Sequence, residues 1–312
     1  MRINTTIGSF ALTSDMRVGV DCSIAVTPYE TAHLQPEAFG LPSAAAAPFT
    51  SGGFVASVDA GASINCAVVS SMCAHSNGTH TECVGHVLPG RVTLGTFAQT
   101  FGPPGGIFPA VLLSVRPETL EASGDAYAPG LPGDKVISYN SISRALDALS
   151  ARLSTAYGSS AAAGAPHAML AAGGALCLRS WPNTSMKKLA RWTGANAPYP
   201  TPSAINLALA LGAAHIVIDL PSLDREVDGG AMLSHRAWWA LPPRPFAGDA
   251  SATKDDSIAN SGANRLATEL AYFPDDCDDG LYFVNIAVAP IDLDAAPSRL
   301  TLHAAEIVNI GR

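Results

Sequence analysis

The apolar positions of the chain fall in short runs broken by 28 glycines and 23 prolines, a pattern that predicts many short strands joined by sharp turns. Strands are expected over Val18 to Val26, Ile64 to Val69, Ala110 to Val115, Val136 to Tyr139, Ala168 to Ala171 and Ala175 to Arg179. Two stretches change period. From Ser141 to Leu153 the apolar residues recur at three- and four-residue steps behind a serine available as a cap, which predicts a helix. Pro202 to Gly212 repeats the pattern more weakly, with Gly212 placed as its stop. The chain then runs into Ala213 to Leu220, read as a buried strand, and later into Leu281 to Val288 and Arg299 to Ile307, both strand-like. Residues 36–48 and 243–263 have no period and are rich in Ala, Ser, Gly, Pro and Asp, so long loops are expected there. Residues 161–165 read as a small turn region.

Composition narrows the class. At 48% apolar and 14% charged residues the chain can bury a large interior, is read as a single domain over 1–312, and fits a protein that buries further surface by self-association. A net charge of −8 with scattered basic residues argues against nucleic acid or an anionic membrane as partner and leaves small substrates open. The six cysteines are too irregularly spaced for a disulfide framework or a thiolate zinc site. No apolar run has membrane-spanning length, and the first residues lack a basic region followed by an apolar core. A cytoplasmic protein is expected.

Chemistry concentrates between Cys73 and His86, which holds three of the eight histidines together with Glu82. If the segment is extended, Ser76, Gly78, His80, Glu82 and His86 share one face. Imidazoles and a carboxylate suit zinc, manganese or iron. Surface loops often carry a His or Glu with no such role, but three in one register behind a permissive glycine are harder to dismiss. Further candidates are Asp219, Asp224 and Asp228 after the buried strand, His235 in Leu233 to Trp239, and Glu269, a carboxylate inside an apolar strand and costly there unless paired or metal-bound.

These residues carry a resemblance. Asn77-Gly-Thr-His-Thr-Glu-Cys-Val-Gly-His86, Leu176 to Trp181, Asp219 to Asp224, His235 and Thr268-Glu-Leu270 resemble the cyclase family of metal-dependent hydrolases, whose motif is HxGTHxDxPxH and which includes bacterial kynurenine formamidase and isatin hydrolase. The resemblance runs from about Asp21 to Ile307. It implies a mixed β/α sandwich of the swivelling β/β/α type, strand-rich with few helices and assembled as a homodimer or homotetramer. It implies His80 as a metal ligand, Glu82 as bridging carboxylate and His86 as general acid/base, with His235 and Glu269 completing a site for one or two divalent ions, Zn or Mn. The activity implied is hydrolysis of a C–N bond in a small amide, N-formyl-kynurenine first and isatin-like cyclic amides next.

The sequence departs from the motif in three places. The first histidine of the motif falls on Ser76, one residue after His75, and a one-residue slip turns a strand side chain to the opposite face. A bulge at Asn77-Gly78 would restore His75, which is favoured over Ser76 as the ligand. Glu82 stands for Asp, and Val84 for Pro. Trp238, Trp239, Phe54 and Phe108 could stack an aromatic substrate, although core packing is the favoured reading of each. Two rivals accompany this reading: a cysteine hydrolase using Cys83 with His86, ranked lower because the two face opposite ways on a strand, and a non-catalytic metal-binding or interaction scaffold.

Overall fold

In a computed structural model the described residues are 1–243 and 262–310. Seven strands close into a barrel: β1 (His80–Glu82), β2 (Gly106–Val115), β3 (Ala175–Ser180), β4 (His215–Ile218), β5 (Leu266–Glu269), β6 (Gly280–Val288) and β7 (Ala295–Ala304). Around the barrel the order is β6-β2-β3-β4-β5-β1-β7, and β7 returns to β6. Strands β2 to β5 are parallel neighbours, whereas β1, β6 and β7 pair antiparallel. Closure leaves few free edges, and Val20–Asp21 covers the remaining edge of β7. The mixed, strand-rich architecture with few helices is the one expected, with its main sheet closed on itself.

Alternation along the strands separates two interiors. Ala110, Leu112, Ala175, Cys177 and Val217 pack inside the barrel with Val284, Leu300 and Leu302. Their neighbours Val111, Leu113, Leu176, Leu178, Ile216 and Ile218 face outward onto helices. The long helix Tyr139–Ala156 begins at Ser138, whose side chain accepts from the backbone of Ser141 while Ser141 answers in a capping box. It covers the wall through Ile142, Leu146 and Leu149, and the helix Pro202–Ala210 adds Ala204, Ile205 and Ala208.

Several local expectations are corrected. Ala168 to Ala171 is not a strand; it is the end of the helix Ala165–Ala171, started by Pro166 in its first turn and buried through Met169 and Leu170. Four apolar residues are too few to distinguish the two periods. Val18 to Val26 forms a strand only at Val20–Asp21, and Arg299 to Ile307 is split between β7 and a separate strand, Glu306–Ile310. The loop expected at 36–48 ends in a strand, Ala45–Pro48, and 161–165 lies mostly in a 3-10 turn, Ser160–Gly164. Most of 243–263 lies outside the described residues.

Candidate metal centre

The candidate ligands stand on the outer wall of the barrel. Ala267 packs in the outer cluster, so Glu269, two residues on, faces the same way, and β1 pairs with β5 such that Glu82 lies opposite Ala267 and His80 opposite Glu269. His80, Glu82 and Glu269 therefore form one cross-strand patch, at most 2% exposed. The short helix Leu233–Trp238 lowers His235 onto it: Nε2 lies 3.1 Å from Glu82 Oε1 and 3.4 Å from Glu269 Oε1. His80 Nε2 lies 3.4 Å from Glu269 Oε2.

The expected single extended register does not exist. Ala74–Asn77 is one helical turn, His80–Glu82 alone is strand, and Val84–His86 is a 3-10 turn. The turn can bring His75 rather than Ser76 toward Glu82 without a bulge at Asn77-Gly78, because successive residues of a helix point about 100° apart rather than to opposite faces. His75 joins the cluster, with Nδ1 3.4 Å from Glu82 Oε2. Ser76 turns away, its hydroxyl accepting from the Ala38 amide at 3.0 Å and donating to the Ala38 carbonyl at 3.1 Å. His86 arrives from the 3-10 turn with Nδ1 3.9 Å from Glu82 Oε2. Among the described residues two groupings could hold an ion, His75 with Glu82 and His86, and His80 with Glu82 and Glu269, and Glu82 belongs to both.

Sequence reasoning missed Asp294, just before β7. Its Oδ2 lies 3.0 Å from His75 Nε2 and 3.2 Å from His86 Nδ1. No spacing in Ile291-Asp-Leu-Asp294 marks it; only the β1–β7 pairing brings it in. The Asp219 to Asp228 segment contributes support rather than ligands. Asp224 bonds His235 Nδ1 at 2.6 Å, Asp219 pairs with Lys187 at 2.7 Å, and Asp228 accepts from the amides of Gly230 and Met232. Trp238 and Trp239 are fully buried, Phe108 packs on His215 in the barrel, and Phe54 is 47% exposed on an outlying strand. Trp239 stacks on His235 and so braces that ring. Cys83 is fully buried, and that burial pushes its thiol up to about 12, away from the thiolate a nucleophile requires.

The charges of the cluster act on one another. Burial opposes charge on Glu82, yet His86 and His235 hold its carboxyl well below the usual range. Glu269 is likewise opposed by burial and by Glu82, and lowered by the His235 and His80 imidazoles that face it. Burial works against a charged His75, but Asp294 and Glu82 raise it to about 10. Even so, both Glu82 oxygens, His80 Nε2 and His235 Nε2 are buried without a hydrogen bond of good geometry. Such orphans are rare and call for an explanation. His80 Nδ1 faces the Gly78 carbonyl at 3.1 Å and His235 Nδ1 faces Asp224, so both rings keep hydrogen on Nδ1 and turn Nε2 to the carboxylates. A divalent ion bound among these atoms would satisfy all four, and the imidazole–carboxylate donor set suits zinc or manganese.

Fold and site together define a mixed α/β barrel protein with a histidine–carboxylate centre on its outer wall. The chain belongs to the cyclase family, whose model matches residues 20–225. A crystal structure of a novel cyclase aligns over 93% of this chain and 89% of its own, with 12% identity and a TM-score of 0.51. A predicted metal-dependent hydrolase from Bacillus stearothermophilus covers 92% of this chain and 98% of its own at 14% identity and TM-score 0.49. An isatin hydrolase bound to the product analogue thioisatinate covers 92% of each at 16% identity and TM-score 0.47. At these identities the likeness is one of fold. No curated protein sequence matches the chain.

Proposed function

We propose that the protein is a metal-dependent hydrolase that cleaves the C–N bond of a small amide. The observation that carries the reading is the convergence of four buried, unsatisfied polar atoms, from His80, Glu82 and His235, beside Glu269. When bound there, a divalent ion would supply Lewis-acid polarisation of a carbonyl and lower the pKa of a coordinated water to about 7. His80, His235, Glu82 and Glu269 would hold it, with His75 at the outer side. His86 is the acid/base: 26% exposed at its side chain, it stands at the rim, where it can take a proton from the attacking water and return it to the leaving nitrogen. Asp294, bonded to His86 Nδ1, leaves Nε2 of that ring for this transfer. Among substrates, N-formyl-kynurenine is the first choice and an isatin-like cyclic amide the second, on family grounds; homodimeric or homotetrameric assembly and a cytoplasmic site of action belong to the same reading.

The test is hydrolysis of N-formyl-kynurenine and of isatin by the purified full chain before and after chelation and after return of zinc or manganese. Loss on chelation with recovery on adding metal is expected. Activity that survives complete metal removal would overturn the mechanism, and bound metal with no turnover on either compound or on other small amides would favour a scaffold.

A further inference from the structure

His235 can serve a metal only while its ring presents Nε2 to the carboxylates, and what holds it there is a buried group that ligation does not use. Asp224 is 3% exposed and accepts four hydrogen bonds. Oδ1 receives the Ser234 amide at 2.7 Å and the Tyr127 hydroxyl at 2.8 Å; Oδ2 receives the His235 amide at 3.0 Å and ring Nδ1 at 2.6 Å. A carboxylate has about four acceptor positions, so Asp224 is saturated and cannot rotate to another partner. An ionised carboxylate only accepts, so His235 Nδ1 must carry the hydrogen.

Tyr127 comes from a distant part of the chain. It is 5% exposed and packs on the Tyr199 ring at 4.6 Å between centroids. Its hydroxyl takes a hydrogen from the Arg225 amide at 3.3 Å and gives its own to Asp224 Oδ1, with Asp228 Oδ2 3.4 Å away. Without that hydroxyl, Oδ1 would keep a single donor and Asp224 could tilt, carrying the imidazole with it.

We propose that Asp224 and Tyr127 are positioning residues for the metal: Asp224 fixes the orientation and hydrogen placement of the His235 ring, Tyr127 fixes Asp224, and together they set the affinity for the ion. The inference rests on the metal-centre reading above. Partners of this kind, one step behind a ligating histidine, typically account for 10–100-fold in metal affinity.

The experiment is zinc titration of the chelator-stripped full chain against a competing chromophoric chelator, for the parent, Asp224→Asn, Tyr127→Phe and the double variant, with melting temperatures recorded with and without zinc. Asp224→Asn should weaken zinc binding about 10–100-fold. Tyr127→Phe, which removes one hydrogen bond, should weaken it by about three- to tenfold. Because Tyr127 acts through Asp224, the double variant should bind no more weakly than Asp224→Asn alone. A purely structural role would instead lower all melting temperatures and leave the zinc-induced increment unchanged. If Asp224→Asn fails to fold, Tyr127→Phe still decides: a zinc affinity equal to the parent's overturns the inference, as does additivity in the double variant. A parent that binds no zinc would overturn the metal-centre reading itself, whereas a parent that binds zinc and an Asp224→Asn variant that binds it equally well would overturn this inference alone.

Discussion

Replacing His75 and Ser76 separately gives two opposite outcomes from adjacent residues. Ser76 is fully buried, and its hydroxyl satisfies both the amide and the carbonyl of Ala38. Ser76→Ala leaves two buried backbone groups without that partner, a cost of about 1–3 kcal/mol, seen as a fall of several degrees in melting temperature and no change in metal content. His75 is 17% exposed at its side chain, and His75→Ala deletes the imidazole that faces Glu82 at 3.4 Å and packs on the His80 and His86 rings. The loss of a ligand should exceed the roughly 10–100-fold that a supporting residue contributes. With free zinc at a hundred times the parent dissociation constant, bound metal adds about 2.7 kcal/mol of stability; after a hundredfold loss of affinity the same zinc adds only about 0.4 kcal/mol. Scanning fluorimetry with chelator and with zinc, together with elemental analysis, separates the two variants. Metal lost from Ser76→Ala, or a full zinc increment in His75→Ala, would refute the placement of the helical turn at Ala74–Asn77.

Three further outcomes follow from other parts of the structure. His86→Ala should keep its metal while turnover falls by about 10²–10⁴, read by amide hydrolysis beside elemental analysis; loss of metal would make His86 a ligand instead. His215 is buried in the barrel, and burial lowers its pKa to about 3, well under the ordinary value of 6.5. The folded state therefore resists its protonation: no stability is lost above pH 6.5, and the loss grows as pH falls from 6.5 toward 3, amounting to about 3 kcal/mol at pH 4.5, so His215→Gln should lose that part of the pH dependence in urea unfolding at pH 7 and 4.5. Lys187→Met should leave the buried Asp219 without its cation and destabilise the chain by about 3–5 kcal/mol without altering metal content per folded molecule, and an unchanged unfolding midpoint would show that the pair is not buried as described.

The barrel strands were legible where the apolar runs were long or the flanking turns explicit, as at Ala175 and Leu281, because burial on both faces demands such runs. The helix Tyr139–Ala156 was legible from its period and its cap. Ala165–Ala171 was not, since Ala, Met and Leu suit either period over so few residues. At the site, His75, His80, Glu82, His86, His235 and Glu269 were all singled out and all converge. What a one-dimensional register could not supply was the geometry between them, a helical turn, a three-residue strand and a 3-10 turn in succession. Asp294 and Tyr127 were invisible for a related reason: each reaches the site through pairings across more than ninety residues of chain, and neither sits in a local pattern.

The central claim is that Glu82 and its neighbours hold a divalent ion. Anomalous diffraction from crystals grown with zinc and measured at the zinc edge tests it most directly. The account predicts a peak about 2.0–2.2 Å from His80 Nε2 or His235 Nε2 and from an oxygen of Glu82 or Glu269. Zinc that binds only elsewhere, with these four side chains still facing one another across no peak, would contradict it.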